Sequence, residues 1–148
     1  MDSDTTGTGR YDAQALVCGA AVFVLIVAAA LLTLWLAPWL DDQFSVDIAQ
    51  LAGGAFAWSP ILAGGVTALA ARKTWLLSLT LIAFLCGVGS AALLPLVLWY
   101  TEMPGDAPVG TLALTAATAL LLFERMLSAM GAGLVTRLLL RLFKMAAA

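Results

Sequence analysis

The chain has 148 residues, 63% of them apolar and 11% charged, with a net charge of −2. A water-soluble domain carries about 45–50% apolar and about 25% charged residues, and a small domain has too much surface to hide such an excess inside. Composition therefore excludes an ordinary soluble domain and points to one compact domain that uses the bilayer as solvent.

Residues 1–14 are polar, with Asp2, Asp4 and Asp12 against Arg10, and read as a flexible segment. They are too acidic for a mitochondrial transit peptide, and the apolar run that follows is too long for a signal peptide. That run, 15–36 (ALVCGAAVFVLIVAAALLTLWL), is expected to stay in place as a first span. About 22 residues at 1.5 Å each give roughly 33 Å, enough for a hydrocarbon core of roughly 30 Å. Tyr11 lies just outside one end and Trp35 and Trp39 mark the other, as an aromatic belt would. Pro38 is expected to help end the helix. The loop after it holds Asp41, Asp42 and Asp47 and no base.

The second span, 48–71, contains the uncharged run LAGGAFAWSPILAGGVTALAA. Gly53, Ala57, Pro60, Gly64 and Ala68 recur at three- and four-residue steps, with Gly54 and Gly65 adjacent, so one helix face is nearly bare. Such faces let helix backbones approach where no hydrophobic effect drives association. Trp58 falls near the bilayer midplane and is expected to face protein, since indoles otherwise favour the interface. Pro60 has no N–H to offer the Phe56 carbonyl four residues back. This span is expected to be the most enclosed of the set.

Arg72-Lys73-Thr74 makes the next junction so short that the second and third spans must form a tight hairpin. The third span, 75–100, has Trp75 at one end and Trp99-Tyr100 at the other, with Gly87 and Ala91 as its small positions beside Gly89 and Ser90. Glu102, Pro104, Gly105, Asp106 and Pro108 form an acidic turn. A fourth span, 109–130, brings Ala113 and Ala117 and is interrupted near its end by Glu124-Arg125. Both side chains are expected to snorkel to the headgroups there, and Glu124 and Arg125 are also the chain's only candidates for a functional intramembrane charge. Beyond Gly131-Ala132-Gly133, Arg137, Arg141 and Lys144 fall at i, i+4 and i+7 over 134–145. This pattern predicts a separate amphipathic helix lying on anionic lipid.

The predicted architecture is therefore all-α. It comprises a polar N-terminal segment (1–14), a four-span domain (15–130) and a basic C-terminal helix (131–148). All seven Lys and Arg residues fall at one end of this plan, including Arg72, Lys73, Arg137, Arg141 and Lys144 as surface anchors. The positive-inside rule then places both termini in the cytoplasm, in a bacterial inner membrane.

The chain has no histidine, and so lacks the usual axial haem ligand, the commonest nitrogen ligand for zinc or copper, and the most frequent general base. Cys18 and Cys86 sit in apolar runs and read as small hydrophobes. With no nucleophile–base pair, metal-ligand cluster or phosphate loop, no enzyme activity, cofactor or metal is expected. No basic patch interleaved with aromatics supports nucleic-acid binding. The expectation is a non-catalytic accessory or assembly subunit that binds partner helices through its small-residue faces. The alternative is a self-associating channel, transporter or holin-like pore lined by Thr67, Ser90, Thr111, Thr115 and Thr118.

Gly53-Gly54, then Pro60, then a basic end at Arg72, with Gln14 just before the first span, is similar to the pattern of ATP synthase protein I. That family's small four-span proteins accompany bacterial F-type ATP synthases, and the resemblance implies an assembly factor with both ends inside. It covers about 20 residues of the second span. The Glu and Lys that the family carries in its third span are missing from 75–100.

Overall fold

The computed structural model describes residues 5–40, 48–71, 74–100 and 111–146. Among them are four helices: α1 (Thr5–Leu40), α2 (Ile48–Ala70), α3 (Trp75–Tyr100) and α4 (Thr111–Ala146). Each is long and apolar enough to cross a membrane. Helix is what these sequences can form in hydrocarbon, where every backbone N–H and C=O must be satisfied within its own segment. That requirement lets α2 stay helical through four glycines and a proline.

The helices alternate in direction, and α2 and α3 form the middle of the bundle. Helix α1 packs on both from one side and α4 on both from the other. The core is formed by Phe23 and Val27 of α1, Ala63 of α2, and Leu79, Ile82 and Cys86 of α3. Close approach at glycine sets the spacing. A Cβ added at Gly64 would overlap the Ala129 carbonyl and lie 3.0 Å from the Ala129 Cα, so α2 and α4 touch backbone to backbone. Gly19 does the same between α1 and α2, where a Cβ would run into Thr67 and come within 3.2 Å of the Ala63 oxygen.

The helix ends differ from the sequence expectation in three places. Helix α1 begins at Thr5, ten residues before the expected start at 15, and runs to Leu40 with Pro38 inside its last turn. Pro38 takes the helical donor from one carbonyl, that of Leu34 four residues back, and does not end the helix. Helix α4 neither stops at 130 nor gives way to a separate C-terminal helix. It continues through Gly131-Ala132-Gly133 to Ala146 as one 36-residue helix. Gly133 is not a break but a contact, buried against Leu79 of α3. Finally, α2 is not singly the most enclosed helix, since α3 is buried to the same degree.

Helices α2 and α3 pack on each other, and each closes its own end turn where they are joined. The Ala71 N–H donates to the Thr67 carbonyl at 2.9 Å and the Ser78 N–H to the Thr74 carbonyl at 3.0 Å. Arg72 and Lys73, the acids Asp41, Asp42, Asp47, Glu102 and Asp106, and residues 1–4 lie outside the described residues.

Candidate functional site

A cluster of polar contacts forms around the carbonyl that Pro60 leaves without its helical donor. Ser59 Oγ donates to the Phe56 oxygen at 2.8 Å. Arg125 Nη1, from α4, donates to the same oxygen at 2.9 Å and to the Ala57 oxygen at 3.0 Å. The guanidinium also stands over the Phe56 ring, 4.6 Å from its centroid. Ser59, Pro60 and Arg125 are all buried. A carbonyl in hydrocarbon without a partner is costly, and so is an isolated cation. Each group here supplies what the other lacks.

This overturns the expectation that Arg125 snorkels to the headgroups. The error lay in the register of α4. Further along that helix, the Arg137 guanidinium stacks over the Trp75 ring at 5.4 Å, so α4 leaves the bundle near 137, level with the start of α3. Arg125 is then twelve residues, about 18 Å, from that end. Arg141 and Lys144 lie beyond it and are exposed. Glu124 does not accompany Arg125, because adjacent helix residues face different directions. It is exposed, next to Leu120, Phe123 and Leu127 on the outer surface of α4. Its backbone carbonyl accepts from Ser128 Oγ at 2.8 Å, and no described partner reaches its carboxylate. On the insertion scale, Asp, Lys or Arg at mid-span costs about 2.5–3.5 kcal/mol, so this position is expensive.

The small-residue positions divide into two sets. Pro60, Gly64 and Ala68 are buried inside the bundle. Gly87 is buried against Leu122 and Met126 of α4, Gly65 lies near Thr136, and Ala91 is half-buried. Gly53 and Gly54, by contrast, have nothing within 4 Å of where a Cβ would stand. Trp58 is 60% exposed and does not face protein. Once Ser59 and Pro60 turn inward, the residue before them is carried to the outside by the 100° helical step. The hydroxyl residues named for the pore alternative lie in different surroundings. Thr67 is buried and donates to Ala63, Thr118 donates to Leu114, Thr115 is exposed, Ser90 is buried, and the Thr111 side chain is not described. Cys86 is buried and Cys18 exposed, and both are free thiols.

A cavity of about 200 Å³ adjoins the Arg125 station, with Ala30, Leu31, Ala52, Phe56, Ser90 and Leu121 among its lining residues. Ser90 Oγ and Arg125 Nε are buried without a hydrogen-bond partner. A second groove, of about 310 Å³, lies where α4 leaves the bundle and is lined by Trp75, Leu134, Leu138, Arg137 and Arg141. No group of three metal-ligating side chains occurs among the described residues. The sequence pointed to Pro60 and to Arg125 separately. What it lacked was the relative register of α2 and α4, which makes them one site.

No family model, curated protein or solved structure matches this chain.

Proposed function

We propose that the chain is a non-catalytic accessory or assembly subunit of a larger complex in the bacterial inner membrane, with both termini in the cytoplasm. The observation that carries this reading is how the polar groups are divided. The buried cation, Arg125, is bound to the carbonyls of α2 and so serves the fold. Outside, α2 presents Trp58 between Leu51 and Leu62, with the small residues Gly54 and Ala55 beside them, an exposed surface that the bundle does not use. A face of that kind suits a neighbouring helix.

The orientation rests on Arg72, Lys73, Arg137, Arg141 and Lys144 gathering at one end, with only acids in the loops at the other, the pattern the positive-inside rule assigns to the cytoplasm. The groove holding Trp75, Arg137 and Arg141 suits an anionic lipid there, its phosphate on the cations and its chain on Leu134 and Leu138. The ATP synthase protein I reading keeps its support from Gln14, Gly53-Gly54, Pro60 and Arg72 alone.

Purification from native membranes in a mild detergent tests the subunit reading. The chain is expected to migrate with one or more other membrane proteins, and a lone monomer would refute it. A C-terminal green fluorescent protein fusion that fluoresces, beside an inactive alkaline phosphatase fusion, is the expected result for a cytoplasmic C-terminus.

A further inference from the structure

Thr111 opens α4 and Arg137 marks its exit beside Trp75. Glu124 is thirteen residues from each, about 20 Å either way, beyond the reach of its side chain to any headgroup. Its carboxylate therefore sits at mid-span on the outside of the bundle. On the same face Ala113, Ala117, Leu120, Leu127 and Gly131 recur at three- and four-residue steps, all exposed. A Cβ at Gly131 would have nothing within 4 Å.

We infer that this face of α4 docks a membrane-spanning helix of another chain, and that the partner helix carries a Lys or Arg at the matching depth to pair with Glu124. The inference rests on the subunit reading and adds the chemistry by which the partner is recognised. A carboxylate in hydrocarbon is held by a cation or by hydrogen-bond donors, and nothing described in this chain supplies either to Glu124. The one charge beside it in sequence, Arg125, is bound to Phe56 and Ala57 on the other side of the helix. The small residues above and below Glu124 allow the close approach that a short ion pair needs. A second copy of this chain does not meet the requirement. Two-fold pairing along this face would set Glu124 against Glu124, like charges in a medium that screens them poorly.

The test uses the full chain in membranes of its own host, with p-benzoylphenylalanine in place of the exposed Leu120. Irradiation is expected to give an adduct with another protein, at an apolar segment containing a Lys or Arg. Glu124→Gln should reduce that adduct tenfold or more, while Glu124→Asp retains most of it. Protection of Cys86 from maleimide in each variant shows that the fold is intact. An adduct undiminished by Glu124→Gln, an adduct at a segment without a cation, or an adduct with a second copy of this chain overturns the inference and leaves the subunit reading standing. Adducts with lipid alone overturn it too, and together with a lone monomer on purification they overturn both.

Discussion

Arg125→Met is the substitution that separates the structural account from a surface-anchor account. It removes two hydrogen bonds from a charged donor, each contributing about 1.5–3 kcal/mol, and a stacked guanidinium–Phe56 contact that contributes about 1 kcal/mol. Against this, taking a cation out of mid-span returns about 2.5–3.5 kcal/mol. The balance is a net loss of about 2 kcal/mol, since the Phe56 carbonyl keeps only Ser59 Oγ while Ala57 keeps its helical donor. The sharper quantity is the coupling to Pro60. In Pro60→Ala the backbone N–H of residue 60 can close the bond to Phe56, so the carbonyl no longer depends on Arg125. Arg125→Met should then cost about 1 kcal/mol less in the Pro60→Ala background than in the wild-type chain. Reversible denaturation in mixed micelles, followed by helical ellipticity for the four chains of the cycle, measures both quantities. If Arg125→Met is as stable as wild type, or if the two substitutions add without coupling, the Phe56 carbonyl is not what holds Arg125 inside the bundle.

Gly64→Leu should destabilise by more than about 3 kcal/mol or prevent folding, because the new side chain meets the Ala129 backbone and neither helix can give. Gly53→Leu should change stability by less than about 0.5 kcal/mol, since its Cβ enters open space; equal effects of the two in the same unfolding assay would refute the packing of α2 on α4. A membrane-permeant maleimide should modify the exposed Cys18 in folded protein and spare the buried Cys86 until denaturant is added, read by mass spectrometry of the labelled chain. Trp75→Ala should lower stability by more than about 1 kcal/mol, through loss of both the Arg137 stacking contact and the packing of Trp75 on the core, read in the same unfolding assay.

The four helices were legible in the sequence because bilayer thickness sets a length that apolar runs either reach or do not. The apolar stretches around Phe23, Gly64 and Cys86 allowed no other element, and the three-residue Arg72-Lys73-Thr74 link left α2 and α3 no arrangement but a hairpin. Rotation and register were not legible. Gly53 and Gly64 have the same composition and lie on related faces, yet one stands in open space and the other against the Ala129 backbone; only the partner helix distinguishes them. Trp58 was expected to face protein and is 60% exposed, because direction follows from packing, which counting along a span does not give. The Gly131-Ala132-Gly133 run looked like a break because two glycines lower helix propensity in water. Against α3, the absence of a side chain at Gly133 makes room for Leu79 instead.

Ending the fourth span at 130 put Glu124-Arg125 near a headgroup layer, where a charged pair asks for little explanation. The Arg125 contact with Phe56 and the Arg137 contact with Trp75 are two independent distances along α4, and they agree on a register in which the exit lies near 137. That register moves Arg125 to a depth where a cation needs a reason. The reason is Pro60, on a different helix, whose missing N–H leaves a carbonyl for the guanidinium to take. Neither residue is economical alone, since proline in a span exposes a carbonyl and arginine in a span exposes a charge. Together they fix how far α4 slides along α2, and the 100° helical step then turns Glu124, one residue back, onto the exposed face of α4.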